Sequence, residues 1–128
     1  MELIPNFTGP LPEIIWDLLD SFDFPTTVVY DGARNLAPGI IASDGSVAIR
    51  IIRSGFCHEL IKACGVPLVS TSANFTGETA PVLFRDISPD LLNKVDYVVD
   101  YGRENIAEVK PSTIIRLKPD GQFDIIRD

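Results

Sequence analysis

Hydrophobic positions along the chain recur with two different periods, which predict a mixture of helices and strands. Residues 13–22 place apolar side chains at helical spacing and follow two prolines, which are tolerated before or within a first turn. Residues 55–64 lie between Ser54, a favourable N-cap, and Gly65, a favourable C-terminal stop. A Ser-Pro-Asp sequence introduces a shorter helix at residues 88–94. The pattern therefore predicts helices in these three places.

Runs of β-branched and apolar residues predict strands between and after these helices. The predicted strands are residues 25–30, 46–52, 66–69, 96–100, 110–117 and 123–127. The strand-helix-strand succession over residues 46–69 has about the length of a parallel crossover, and the last two strands form a hairpin with a loose turn at residues 119–121. We therefore expect an α/β fold with a twisted mixed sheet, in a single domain spanning residues 1–128.

The composition agrees with a folded protein of this kind. Of 128 residues, 45% are hydrophobic and 23% are charged, and a chain of this length is one domain by the usual prior. No apolar run approaches the roughly 20 residues that span a bilayer. Residues 1–6 lack the basic and apolar regions of a signal peptide. We expect a cytoplasmic protein without a membrane partner.

The charge balance narrows the class of ligand. The chain carries 11 basic and 18 acidic residues, for a formal net charge of -7, and the basic residues are scattered along it. Nucleic-acid binding depends largely on clustered positive charge that neutralises phosphates. The charge therefore disfavours RNA as a partner, whereas a small anionic ligand needs only one or two basic side chains.

The cysteines predict neither a disulfide nor a metal site. Cys57 and Cys64 lie seven residues apart in one predicted helix, too far along its axis for an unstrained disulfide. We interpret them as buried thiols. His58 is the single histidine, and the sequence has no Cys-x-x-Cys, so a structural zinc site is not expected. The sequence assigns no metal ligands.

Small polar side chains follow the predicted strand at residues 66–69. Ligand crevices of α/β sheets lie outside the carboxyl ends of strands, and hydroxyls such as those of Ser70 and Ser72 donate to phosphate oxygens. Asn74 tolerates tight turns, and Gly77 lets the chain leave without blocking a site. Two interpretations stand at this point: an anion site, or an ordinary polar loop.

Arg50 interrupts an otherwise apolar predicted strand. Either its side chain points to solvent from a half-buried strand, or it faces a ligand. The sequence favours neither alternative.

Four segments share an order with motifs of a known family. They are Pro25-x-Thr27 before a strand, Val47-Ala48-Ile49-Arg50, Gly65 to Gly77 with Ser70-Thr71-Ser72-Ala73-Asn74, and Ser112-Thr113-Ile114-Ile115 with a closing Ile126-Arg127. In this arrangement the chain resembles the YrdC family, the L-threonylcarbamoyladenylate synthases. The resemblance covers about residues 24–128, and the loop motif is its most specific part.

The resemblance implies a nucleotidyltransferase that joins L-threonine, bicarbonate and ATP into threonylcarbamoyl-AMP for tRNA modification, with release of pyrophosphate. It implies ATP with Mg²⁺ as the substrate complex, no permanent cofactor, and tRNA or the tRNA-modification transferase as partners. The implied ATP and phosphate ligands are Ser70, Ser72, Asn74 and Arg127; those for threonine or its carbamate are Arg50 and Ser112; and Thr27 and Thr113 support them. No residue is assigned a catalytic role.

One departure from the family pattern leaves alternatives open. Family members carry a Lys-x-Arg element and a Pro-Thr-x-Thr segment upstream of the position of Pro25, and residues 1–24 have neither. We therefore expect a C-terminal part of a longer YrdC-like domain, which can be inactive by itself. The competing interpretations are an RNA-binding or translation-associated module, and a carbamoyl-transfer domain that is indifferent to threonine.

Overall fold

A computed structural model of the protein describes residues 3–105 and 112–127. Its central element is a four-stranded sheet with the order β2-β1-β3-β4. The strands are β1 (Thr26–Tyr30), β2 (Val47–Arg50), β3 (Thr113–Leu117) and β4 (Phe123–Arg127), and the helices are α1 (Ile14–Ser21), α2 (Gly55–Cys64) and α3 (Pro89–Leu92).

The sheet is mixed, as the sequence predicts. β1 pairs antiparallel with β2 and parallel with β3, and β3 pairs antiparallel with β4. The last pairing contains an irregularity between Ile114 and Ile115, which shifts its register. The prediction of an α/β fold on a mixed sheet is confirmed.

One face of the sheet carries the core, because strand side chains alternate between faces. Thr26, Val28 and Tyr30 of β1 are buried, and Thr27 and Val29 between them are only half-buried. Isoleucine and leucine side chains of α1 join the buried strand residues in one apolar cluster. The buried members of this cluster are Ile4, Ile15, Leu19, Val28, Tyr30, Val47, Ile115 and Leu117. We call the other side of the sheet, which includes Thr27 and Val29, the outer face.

The segment before α1 is held against the turn after β1. The Gly9 backbone N–H donates to the Asp31 carbonyl at 3.1 Å, and the Arg34 N–H donates to the Phe7 carbonyl at 3.0 Å. Gly32 has φ +69°, and a Cβ added there would lie 3.0 Å from the Gly9 Cα. Glycine is required by both the backbone conformation and the close approach.

Several predicted elements appear with shorter bounds. The first helix is confirmed as α1, the predicted strand at residues 46–52 is confirmed only over β2, and the third helix is reduced to α3. The terminal hairpin is confirmed over β3 and β4. Residues 110 and 111, which the pattern assigned to the first strand of that hairpin, lie outside the described residues.

The predicted strands at residues 66–69 and 96–100 are wrong, because the structure shows no strand there. The parallel crossover predicted for residues 46–69 is therefore wrong as well. Apolar, β-branched composition favours an extended backbone, but a strand also needs a neighbouring edge that supplies hydrogen bonds. Within residues 3–105 and 112–127, no backbone of another segment pairs with these two stretches.

The interpretation of the cysteines as buried thiols is also wrong. Cys57 and Cys64 are free and exposed on α2. α2 ends as predicted at Gly65, which has φ +70° and donates its N–H to the Ile61 carbonyl. None of the residues of α2 is buried, so its apolar positions contribute nothing to the described core. A thiol on such a helix is buried only if something covers the helix.

The chain divides into two compact units. The first consists of Met1–Leu68 and Ser112–Asp128 and contains the sheet, α1 and α2, and the second is Val69–Pro111. In the second unit the Lys94 Nζ lies 5.1 Å from the Phe75 ring centroid, and the Arg103 guanidinium lies 4.6 Å from the Phe84 ring centroid. Cation–π contacts therefore join separate turns of this unit.

Candidate functional site

Two predicted site residues, far apart in sequence, meet at one end of the sheet. Thr27 lies at the start of β1, and Ser112 immediately precedes β3, which runs parallel to β1. Their hydroxyl oxygens are 3.1 Å apart and form a hydrogen bond in which either can donate. Both side chains are half-buried on the outer face. Each hydroxyl also has lone pairs or a proton available to a further partner.

Two arginines lie at the same end of the sheet. Arg50, the last residue of β2, is paired with Thr27, and Arg127, the last residue of β4, is paired with Ile114. Paired residues share a face of a sheet, so both arginines belong to the outer face. The Arg127 Nη2 donates to the Ser112 carbonyl at 2.9 Å. We call Thr27, Arg50, Ser112 and Arg127 the hydroxyl end of the outer face.

The two arginines of the hydroxyl end are exposed cations. Both side chains are exposed, and neither forms a salt bridge with a carboxylate of the described residues. A guanidinium presents several donors in a fixed plane, which suits carboxylate and phosphate oxygens. Of the two alternatives for Arg50, the structure confirms exposure on a half-buried strand. That position is also open to a ligand.

Thr113 occupies a different position from the other predicted residues of this segment. It pairs with Thr26, whose side chain is buried on the core side of β1. Thr113 therefore lies on the core face, opposite Ser112. In that position it can support the start of β3 without facing the hydroxyl end.

The loop of residues 70–77, the signature loop, belongs to the second unit. Ser70 and Ser72 are exposed, and Asn74 is half-buried. The Asn74 Nδ2 donates to the carbonyls of Phe75 at 2.9 Å and Glu78 at 3.0 Å. The Asn74 amide therefore uses both of its donors to fix the loop, and the serine hydroxyls remain exposed for a ligand.

The opposite end of the outer face is an ion-pair cluster. Arg116 of β3 donates from Nη2 to the Asp31 Oδ1 at 2.7 Å and from Nη1 to the Asp44 Oδ2 at 3.0 Å. Asp44 also accepts hydrogen bonds from the Ser46 hydroxyl at 2.6 Å and the Ser46 N–H at 3.1 Å. We call Asp31, Asp44 and Arg116 the ion-paired end.

These contacts shift the pKa values of Asp44 and Arg116. The hydrogen bond from the Ser46 side chain, followed by that from Arg116, lowers the pKa of Asp44 to about 2. The hydrogen bond to Asp31 is the largest cause that raises the pKa of Arg116. At neutral pH the Arg116 guanidinium is therefore paired with the carboxylates of Asp31 and Asp44.

The described part of the chain offers little for a metal ion. No group of three or more His, Cys, Asp or Glu side chains in residues 3–105 and 112–127 could hold one.

No helix in those same ranges has the length and apolar content to cross a bilayer.

The chain matches one known protein family over nearly its whole length. The family model Sua5/YciO/YrdC, described as "Telomere recombination", matches residues 2–128. The chain belongs to this family. The match covers nearly the whole sequence, so the predicted resemblance to YrdC proteins is confirmed. No solved structure gave a significant match.

Curated members of the family carry the name of one activity. The chain is 36% identical over 72 residues to a threonylcarbamoyl-AMP synthase of Dichelobacter nodosus, covering 54% of the chain and 38% of that protein. It is 30% identical over 94 residues to one of Stenotrophomonas maltophilia, covering 73% of the chain and 50% of that protein. A Methanocaldococcus jannaschii protein whose name contains the same activity is 41% identical over 96 residues, or 75% of the chain and 43% of that protein. The chain thus spans half or less of the length of these relatives.

Sequence reasoning identified the residues of the hydroxyl end but not how they meet. Ser112 is 85 residues from Thr27, and nothing in the local pattern shows that they bond to each other. The ion-paired end was missed altogether, because Arg116 appears in the sequence as one of many scattered cations. The only signal was that Asp31 and Asp44 each precede a turn glycine, which puts both beside strand ends.

Proposed function

We propose that the protein takes part in forming threonylcarbamoyl-AMP from L-threonine, bicarbonate and ATP, for modification of tRNA. The observation that carries the proposal is the hydroxyl end, where a hydrogen-bonded hydroxyl pair stands beside two exposed guanidinium groups. Such a set recognises anionic oxygens. The names of the family members supply the substrate class.

In the proposed reaction the threonine amine first combines with bicarbonate to give a carbamate and water. A carbamate oxygen then attacks the α-phosphorus of ATP, a new P–O bond forms, and the bond to pyrophosphate breaks. The products are threonylcarbamoyl-AMP and pyrophosphate. Such a reaction depends mainly on placing its reactants and stabilising charge, which is what fixed hydroxyls and guanidiniums supply.

The hydroxyl end would hold threonine and its carbamate. Arg50 would bind a carboxylate, and Ser112 would donate or accept a hydrogen bond at the same group while Thr27 fixes the Ser112 rotamer. Arg127, held by its bond to the Ser112 carbonyl, would direct its remaining N–H groups to phosphate.

The signature loop would contribute hydrogen-bond donors to the phosphates of the nucleotide. Ser70 and Ser72 would donate to phosphate oxygens, and Asn74 would act as a positioning residue through its bonds to the Phe75 and Glu78 carbonyls. Mg²⁺ would enter as part of the ATP complex and neutralise phosphate charge. The mixed anhydride formed is reactive, so the partner that takes it would be the tRNA-modification transferase.

Substrate dependence tests the proposal. The chain is supplied with ATP–Mg²⁺, L-threonine and bicarbonate, and pyrophosphate release is measured together with calorimetric binding of ATP and threonine. We expect both ligands to bind, and any pyrophosphate release to require all three substrates. Release that is independent of threonine, or absence of binding of either ligand, would contradict the proposal.

A single substitution tests the signature loop. Ser72→Ala should weaken ATP binding by about 1–2 kcal/mol, the range for a lost hydrogen bond to a charged group. Cys57→Ser, an exposed small side chain on α2, is the matched control and should bind ATP normally. An unchanged affinity for Ser72→Ala would remove that serine from the phosphate site.

A further inference from the structure

A hollow lies where the two parallel strands of the sheet end. β1 ends at Tyr30 and β3 ends at Leu117, and both residues line a cavity of about 30 Å³. This cavity shares walls with a cleft of about 410 Å³, and we call the two together the proline cleft. In open α/β sheets, ligand crevices lie outside the carboxyl ends of parallel strands. The hydroxyl end lies at the amino ends of β1 and β3, so the proline cleft is a different place on the protein.

The walls of the proline cleft are rigid and apolar. Pro10, Leu11, Pro12 and Pro119 line both of its parts. A proline ring fixes φ and carries no backbone N–H, so these walls have little freedom to rearrange and present few donors. A preformed apolar hollow of this size binds a small molecule at little cost in conformational entropy.

The charged side chains that line the cleft are already paired. The Arg116 Nη2 lies 2.7 Å from the Asp31 Oδ1, and the Lys118 Nζ lies 2.9 Å from the Asp124 Oδ2. A charged ligand would have to compete with these pairs and give up its own hydration against apolar walls. The cleft therefore favours a neutral ligand.

Tyr30 brings an unpartnered hydroxyl to this hollow. Its side chain is 1% exposed, and its hydroxyl forms no hydrogen bond with any of the described residues. Burial raises the pKa of this hydroxyl, which therefore keeps its proton. A buried hydroxyl without a partner costs free energy, which an acceptor on a ligand would recover.

Backbone donors beside the cleft are already used. The Gly9 N–H donates to the Asp31 carbonyl at 3.1 Å, and the Lys118 N–H donates to the Gln122 carbonyl at 2.8 Å. The Tyr30 hydroxyl still has its proton to donate. A ligand that suits this chemistry carries an acceptor, such as a carbonyl oxygen, on an otherwise apolar body.

We propose that the proline cleft is a second ligand site, which binds a small neutral ring compound through one carbonyl oxygen. The ring would pack against the proline walls, because an aromatic ring buries a large apolar area, and the carbonyl oxygen would accept from the Tyr30 hydroxyl. The inference goes beyond the proposed function and does not depend on it. None of the residues that line the cleft belongs to the hydroxyl end or to the signature loop.

Two matched probes test this inference. Acetophenone has a phenyl ring and one carbonyl oxygen, and α-methylstyrene has nearly the same shape with a CH₂ group in place of that oxygen. Each probe is titrated into the isotope-labelled chain while the backbone amide signals are followed by NMR. We expect acetophenone to shift the signals of Leu11, Gly32 and Lys118, and to bind about tenfold more tightly than α-methylstyrene.

Tyr30→Phe removes the donor and keeps the ring. Because the hydroxyl has no partner among the described residues, the variant should fold with an unchanged or higher melting temperature. Its affinity for acetophenone should fall about tenfold, while its affinity for α-methylstyrene stays the same. Tyr97→Phe removes the same group from a tyrosine that is 78% exposed in the second unit. This variant is the matched control and should bind both probes normally.

Four outcomes would overturn the inference. They are absence of amide shifts around the cleft with acetophenone in large excess, equal affinities for the two probes, unchanged affinity of Tyr30→Phe for acetophenone, and a lower melting temperature of Tyr30→Phe. The last outcome would show that the hydroxyl already has a partner in the free protein. L-Threonine binding is measured on the same samples. Its absence in the unaltered protein would contradict the proposed function and leave the second site standing.

Discussion

Both ends of the outer face carry arginine, but its surroundings differ between them. At the ion-paired end, Arg116 is held between Asp31 and Asp44. At the hydroxyl end, Arg50 and Arg127 form no salt bridge with any carboxylate in the described ranges. A guanidinium whose donors already meet carboxylates has a structural role, whereas one without a carboxylate partner keeps donors available for a ligand. One surface therefore carries both an ion-paired guanidinium and two guanidiniums without a carboxylate partner in the described ranges.

The largest effect is expected from Arg50→Ala. Loss of this guanidinium should weaken L-threonine binding by about tenfold or more, the lower range for hydrogen bonds to a charged group. Calorimetric titration measures the change. Arg116→Ala removes the same side chain from the ion-paired end and should bind threonine normally. Equal losses in the two variants would erase the distinction between the ends.

A smaller loss is expected from Ser112→Ala. It removes the hydrogen bond to Thr27 and one proposed ligand contact, so threonine binding should weaken by about 1 kcal/mol. Thr113→Ser, one position along and on the core face, is the control and should keep full affinity. If Thr113→Ser proves the more damaging change, the assignment of faces to function is wrong.

Arg116→Ala should act on stability instead of binding. The variant leaves Asp31 and Asp44 without their shared cation and releases β3 from the turns after β1 and before β2. Exposed ion pairs contribute little, so the melting temperature should fall by about 1–4 °C. Thermal unfolding followed by circular dichroism measures this. A melting temperature equal to that of the unaltered protein would show that these ion pairs do not contribute to stability.

The smallest effect is the pH dependence of Asp44→Asn. The folded-state pKa of Asp44 is lowered to about 2, below the ordinary value of 3.8, so its ionised form stabilises the folded state. That contribution is complete above pH about 4 and is lost as pH falls toward about 2. The difference in melting temperature between the protein and Asp44→Asn should therefore be present at pH 6 and close over that range. A gap that widens in acid would contradict the lowered pKa.

The elements with complete local signals could be predicted from the sequence. α1 and α2 have amphipathic spacing and good boundaries, and β1 with the terminal hairpin has β-branched runs next to turn residues. The strands predicted at residues 66–69 and 96–100 had equally good composition. They failed because pairing depends on what lies alongside, which no local pattern contains.

For the candidate site, the sequence suggested residues but not how they are arranged. Motif likeness pointed to Arg50, Ser112 and Arg127, but the bond between Ser112 and Thr27 follows from the register of two parallel strands. Register is set by long-range packing of the core face. The role of Asn74 in fixing its own loop was hidden for a similar reason, since the amide's partners are backbone carbonyls that any residues would supply.

The parallel pairing of β1 with β3 also governs when the protein can form the hydroxyl end during synthesis. Residues 26–29 of β1 pair with residues 113–116, so the middle of the sheet cannot form before residue 116 has left the ribosome. Contacts between such distant segments form slowly, because a long intervening chain must first be ordered or looped out. A nascent chain that stops short of β3 has no Ser112 to place beside Thr27, so it cannot form the hydroxyl end.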